Sequence, residues 1–195
     1  ADPPEALEVV YYAENARDEF DLMGAGACRE FGLSLDKPAF LCGCDAADVL
    51  CPRWLRSHQF DDVTDTPTEY THERKADLTD AQGRVRGSVL SASTHRPPYR
   101  PDTTDTFALW TRVAEPRIGQ RALVVTTQVF VPFQTFDGVK RLYLDHGVEV
   151  DAVGFGADWG DRPLTAEYLL QEILSGIRSA RRMLVDAADV IRNSN

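Results

Sequence analysis

Apolar and polar positions along the chain repeat with two different periods. Between Arg17 and Leu33, Phe20, Met23, Ala27 and Phe31 recur every three or four residues, the single apolar face of a helix that ends at Gly32, ahead of Pro38. Glu5 to Ala16 also reads as helix. Ala39-Phe40-Leu41-Cys42-Gly43-Cys44 is a short apolar run of the kind a buried strand uses, and Asp45 stands where the N-cap of a following helix would be. Gln59 to Pro67 is polar, with three Asp and three Thr-or-Pro breaks, hence a loop.

Two β-rich arms come next, Glu69 to Leu78 and Arg84 to Ser93, separated by Thr79-Asp80-Ala81-Gln82-Gly83. Asp and Gly there suit a turn with a left-handed residue, which predicts a β-hairpin; a helix from Pro67 to Ala81 is the alternative. Thr94 to Thr104 carries His95, Arg96, Arg100 and three prolines, so it is an irregular loop bearing cations. Thr106 to Glu115 is amphipathic, with Phe107, Trp110 and Val113 on one side. Arg121 to Gln128 is nearly continuous in apolar residues before it turns polar, as in strands covered on both faces. Pro132 to His146 reads as a crossover helix closed by Gly147, Val148 to Phe155 as the next strand, and Leu164 to Ile191 as a long helix with a break near Gly176.

This order predicts an α/β fold, a Rossmann-like sandwich with a mainly parallel sheet and a β-hairpin inserted in it. Ala39 to Cys44, Arg121 to Gln128 and Val148 to Phe155 are the strands expected to share that sheet. At 195 residues and 43% hydrophobic residues, one domain over residues 1–195 can bury a full core. The 31 acidic residues outnumber the 21 basic ones, for a net charge of −10, which disfavours general binding to nucleic acid or anionic membrane. No secretory leader is visible and no apolar run approaches the roughly 20 residues of a membrane helix, so a cytoplasmic protein is expected.

Three segments in order resemble motifs of the YdcF/SanA-like domain family. Glu19-Phe20-Asp21-Leu22-Met23 resembles its E-A-x-x-M helix, Asp102-Thr103-Thr104-Asp105-Thr106-Phe107 its S-x-N-T-x-E segment, and Val125-Thr126-Thr127-Gln128-Val129-Phe130-Val131-Pro132 its V-T-S-x-x-H-x-P turn. The resemblance spans roughly Asp18 to Phe155. It implies a Rossmann-like fold and a small-molecule site of a kind suited to an adenosyl-type cofactor such as S-adenosylmethionine. The family's first, Gly-rich strand has no counterpart before Glu5, so the expectation is either that the sequence begins inside the domain or that this strand lies on another chain or a lost segment. Its histidine is replaced around Phe130, and its following arginine by Phe133-Gln134.

The candidate chemistry follows from strand ends and helix starts. Thr126, Thr127 and Gln128 end the most apolar strand and Gln134 lies in the next helical turn, where ligands of open α/β sheets bind; capping of the turn is the structural alternative. Arg96 and Arg100 offer guanidinium forks for an anion just before the helix start at Thr104 and Asp105, whose amides favour negative charge. Pairing of these arginines with nearby carboxylates, and an N-cap role for Thr104 or Asp105, is the bland reading of the same loop. Glu19 is an acidic contributor if it faces the cleft. The expected partner is a small anionic molecule, held by a protein that either kept the family's site or became an interaction domain without it. Cys28, Cys42, Cys44 and Cys51 are expected as reduced thiols: Cys42-x-Cys44 with Cys51 and His58 lacks the common spacing of zinc knuckles, and no metal is assigned. His72, His95 and His146 have no partner at a catalytic or metal spacing in the sequence. No P-loop, G-x-S-x-G or H-E-x-x-H motif occurs.

Overall fold

A computed structural model describes residues 9–12, 25–26, 28–29, 31–57, 60, 62–155 and 165–193. The fold is mixed α/β and divides into two compact units, residues 1–110 and 111–195. Glu19 and His58 lie outside the described residues, as does most of the segment expected to be helical from Arg17; residues 25–26, 28–29 and 31 are helical.

The first unit is built on a five-stranded sheet of β1 (Val9–Tyr12), β2 (Ser34–Leu35), β3 (Ala39–Phe40), β4 (Arg74–Thr79) and β5 (Val85–Ser91), in the order β1-β5-β4-β2 with β3 also on β4. Only β1 and β5 run parallel; β4 is antiparallel to β5, β2 and β3. The mainly parallel sheet is therefore corrected. Ala39–Phe40 pairs with β4 in this sheet and not with the later strands, and only two residues of the expected run are strand. Residues 9–12, read as helix, form a strand, as the β-branched and aromatic Val-Val-Tyr-Tyr run favours.

The hairpin is present and replaces the helical alternative. Arg74 opposes Ser91 and Leu78 opposes Gly87, with a register shift at Leu78/Thr79. Gly83 donates its N–H to the Asp80 carbonyl at 2.8 Å and adopts φ +74°, where a side chain is strained. β5 lies between β1 and β4 and is buried from Gly87 to Ser91. Ala76 and Leu78, two residues apart on one face of β4, pack with Val89 as a core against Cys28, Leu33 and Leu35. No helix follows Asp45, which is exposed in a stretch of bends; the first helix of this region is α1 (Pro52–Ser57), which buries Trp54. Helix α2 (Thr103–Ala114) starts three residues before the expected Thr106 and crosses the boundary between the units.

The second unit holds a two-stranded parallel sheet, β6 (Arg121–Thr127) and β7 (Glu149–Phe155), in register from Arg121↔Glu149 to Thr127↔Phe155. The crossover is α3 (Val131–Gly138), widened into a π segment at Val139–Leu144. Gly147, at φ +67°, closes it by donating to the Tyr143 carbonyl at 2.8 Å. Burial alternates along both strands, and Leu123, Val125 and Val153 are exposed. The expectation that β6 is covered on both faces is thus also corrected: each pleat turns alternate side chains to opposite faces, and helix packs on one of them. Helix α4 (Ala166–Asn193) does not break at Gly176, which is buried beside Pro132 of α3. Lys140 pairs with Asp186 at 2.8 Å, and Arg182 with buried Asp137 at 3.5 Å, tying α4 to the crossover.

Candidate functional site

The loop between β5 and α2 gathers titratable groups around the start of a helix. Asp102 is the N-cap of α2: its Oδ1 accepts the Thr104 N–H at 2.9 Å and the Asp105 N–H at 3.2 Å. Asp105, at the third helical position, returns the contact, its Oδ2 accepting the Asp102 N–H at 2.9 Å. The two aspartates form a reciprocal capping box, which satisfies two orphan amides of the first turn and that of Asp102, and suits the positive end of the helix dipole. The N-cap is thus Asp102, and neither Thr104 nor Asp105.

Asp105 is almost fully buried and its other oxygen meets His95 Nδ1. An ionised carboxylate can only accept, so this contact matches the tautomer with the proton on Nδ1 and the lone pair on Nε2. The His95 side chain is 37% exposed, enough to be reached from solvent. Arg96, next in sequence, pairs with Asp102 Oδ2. One of its five guanidinium donors is used there. Arg100 is exposed at the end of the same loop, which has a cis peptide bond between Pro97 and Pro98. Thr104 is buried, and its hydroxyl has no hydrogen-bond partner among the described residues.

The root of the loop is held from two sides. Thr94 is buried, donates its N–H to the Tyr70 carbonyl at 2.7 Å, and accepts the Trp54 indole N–H on its own carbonyl at 2.7 Å. Its hydroxyl accepts the Arg96 N–H at 3.0 Å.

A second cluster lies in the same unit. Cys42, Cys44, Cys51 and His72 have ligand atoms all within 4.8 Å of one another. Cys42 and Cys44 flank Gly43, whose φ of +79° turns the chain sharply enough for both thiols to face one point. Cys51, just before α1, is anchored by its N–H donating to Thr71 Oγ1 at 2.9 Å. His72 follows the short 3-10 turn Thr68–Thr71 and directs Nδ1 at the Thr68 carbonyl, 2.8 Å away. No disulfide links the four cysteines. Hydrogen bonding to Cys42 pushes the Cys44 thiol up to about 12, whereas bonds from Cys44 and Cys51 outweigh burial and hold the Cys42 thiol below its ordinary range.

His95, Asp102 and Asp105 also lie within metal-ligand distance of one another, but their chemistry differs. Their carboxylate oxygens already accept amides, the His95 ring and the Arg96 guanidinium, and that cation opposes a metal ion beside it. This cluster is suited to proton transfer. The cysteine cluster is suited to a metal.

The remaining expected site residues belong to the second unit. Thr126 is buried and Thr127 half-buried at the end of β6; Thr127 makes no side-chain cap to the turn Gln128–Phe130 that follows. Gln128 is exposed and packs over Gly154, and Gln134 is half-buried in α3. Arg96, Arg100, Thr104 and Asp105 belong to the first unit, where Arg96 and Asp105 come together through Asp102. His95 and His72 are the residues sequence reasoning passed over. Their partners are Asp105, ten residues on across a proline-rich loop, and thiols at least 21 residues back, and neither separation is a motif spacing. The local hints were a histidine directly beside the arginine already singled out and the grouping of Cys42, Cys44 and Cys51, whose nearest histidine in sequence is His58 and not His72.

No protein-family model matches the chain, and no solved structure does. Over 188 residues it is 32% identical to uncharacterized proteins of Mycobacterium bovis and of Mycobacterium tuberculosis strains CDC 1551 and H37Rv. The match takes in 93% of this chain and 47% of each of those proteins, so the chain spans about half the length of the curated relatives it matches.

Proposed function

We propose that the loop from His95 to Asp105 binds a small anionic molecule and moves a proton on it, with His95 as general base or acid, Asp105 as its orienting carboxylate, and Arg96 and Arg100 as anion donors. The observation that carries this reading is the Asp105 carboxylate, buried, fixed by the Asp102 amide and set against His95 Nδ1. A carboxylate so placed selects the tautomer with Nε2 unprotonated and stabilises the imidazolium formed when Nε2 takes a proton from a water or hydroxyl nucleophile. The guanidinium groups offer charge-assisted hydrogen bonds to phosphate or carboxylate. The strand end Thr126, Thr127 and Gln128, with Gln134, is the second unit's own candidate ligand-binding group. The parallel β6-α3-β7 crossover that carries it is the element from which Rossmann-like sheets are built, and it supports that part of the family reading.

A thermal-shift panel of inorganic phosphate, sugar phosphates, nucleotides and adenosyl compounds tests binding. A rise in Tm at millimolar ligand that the Arg96→Ala, Arg100→Ala double variant abolishes supports the site. Generic ester and phosphoester probes then test turnover, which His95→Gln should remove while binding persists. If nothing in the panel raises Tm, the reading fails. A second reading, an interaction module without catalysis, is favoured by the exposed apolar row Leu123, Val125, Val153 and Phe155 on β6 and β7.

A further inference from the structure

We infer that Cys42, Cys44, Cys51 and His72 bind one zinc ion as a closed, structural centre, independent of whether the His95 loop is catalytic. The spacing of the donors is compatible with a tetrahedron, and the sulfur-to-sulfur edge from Cys44 to Cys51 has its length. Zinc holds thiolates at about 2.3 Å, which sets the sulfur-to-sulfur edge at about 3.8 Å. Cys44 Sγ and Cys51 Sγ are 3.9 Å apart. All four donor atoms fall within 4.8 Å of one another, in a site where Cys51 and His72 are 1% exposed.

The histidine supplies the second, independent argument. The Thr68 carbonyl can only accept, so Nδ1 is the protonated nitrogen and Nε2 carries the lone pair. That Nε2 is buried without a hydrogen-bond partner among the described residues. A backbone carbonyl on the far nitrogen is the usual outer contact of a zinc-bound imidazole, fixing its tautomer and ring direction. Phe40 packs edge-on to the same ring at 5.4 Å, limiting its rotation. A buried ring held through Nδ1, with an unsatisfied acceptor at Nε2 and a ring nitrogen within 4.8 Å of three thiols, offers the donor a metal requires.

Donor type narrows the ion. Three thiolates and an imidazole are soft and borderline ligands, which suit zinc and exclude magnesium and calcium, whose ligands are oxygens. Four protein donors fill a tetrahedron, so no position remains for a water or a substrate. The centre would therefore act by cross-linking. It joins the turn after β3, the residue that starts α1 and the end of the Thr68–Thr71 turn, across a segment, residues 41–50, with no helix or strand of its own. The same elements carry Trp54 and Tyr70, which grip Thr94 at the root of the His95 loop.

The test uses the whole chain, purified under reducing conditions without chelator. Atomic emission should find one equivalent of zinc, and Cys44→Ser and His72→Ala should each lose it, while His72→Cys retains it. Because a variant in this site can fail to fold, the wild type, stripped of metal, is also titrated with cobalt(II). One equivalent should bring up thiolate-to-cobalt charge-transfer absorption and intense tetrahedral d–d bands that added azide leaves unchanged. Wild-type protein that takes up neither zinc nor cobalt in stoichiometric amount overturns the site. Bands that shift with azide show an open coordination position and overturn the closed, structural assignment.

Discussion

Trp54 donates its indole N–H to the carbonyl of Thr94 at 2.7 Å, joining helix α1 to the residue just before His95. Both residues are buried, so neither polar group has water as an alternative partner. A loop with three prolines and no regular structure cannot hold a histidine in place by itself. Its position is inherited from Trp54 on one side and from the Tyr70 carbonyl on the other.

Trp54→Phe keeps most of the apolar volume and removes the donor. The Thr94 carbonyl is then buried and unpaired, at a cost of about 1–3 kcal/mol. Denaturant melts of the two proteins measure this, and a difference below about 0.5 kcal/mol, the range of ordinary surface substitutions, would show that the bond is dispensable.

The capping box makes a sharper comparison. Asp102→Ala removes the acceptor for two first-turn amides and should lower stability by about 1 kcal/mol, within the 0.5–2 kcal/mol known for such caps. His95→Ala removes a partly exposed ring and no cap, and should change stability less. Equal losses from the two would mean that His95 is structural, which counts against its role in proton transfer.

Asp80 links the hairpin to pH. The Arg84 N–H, then the Arg86 and Arg84 guanidiniums and the Gln82 N–H, hold its carboxyl well below the usual carboxylate range. A folded-state value below the unfolded one means that the contribution is fully present above the ordinary carboxylate range and is lost only as pH falls through the depressed value. Amide exchange of Gly83 and Arg84 should therefore stay slow at pH 4 in the wild type. Asp80→Ala should exchange faster at neutral pH and lose this acid dependence. Equal exchange in the two proteins at neutral pH would remove the carboxylate from the turn's stability.

Gly154→Ala tests the second unit. A Cβ built there would lie 2.3 Å from Gln128 Oε1 and 2.5 Å from Gln128 Cα. Because one of the obstructing atoms is backbone, the strand end must move, at a cost of about 1–3 kcal/mol. Gln128→Ala added to it should not restore the melting temperature, since the Cα clash remains. Full rescue by that second change would place the whole conflict in the side chain.

Much of the local structure was legible. Asp80 and Gly83 mark a turn through a side-chain acceptor and a left-handed backbone, both properties of the residues themselves. The apolar repeat of Phe107, Trp110 and Val113 places α2, although Asp102, its actual cap, lies outside that repeat. Gly147 ends the crossover because its φ is nearly closed to other residues.

Strand partners and the two clusters were decided only by tertiary structure. The Val-Val-Tyr-Tyr run of Val9–Tyr12 favours a strand, but its partner, the parallel edge of β5, is not written within a few residues of it. Ala39–Phe40 looks the same in sequence whether its neighbour is parallel or antiparallel. The pairing with β4 comes from the return of the chain after the Thr68–Thr71 turn. That return also carries His72 to the cysteines, and the fold of the 95–105 loop brings His95 to Asp105. Periodicity and turn chemistry act over a few residues and are written in the chain. Which distant side chains meet depends on closing loops and burying one particular face, a choice made by the free energy of the whole unit.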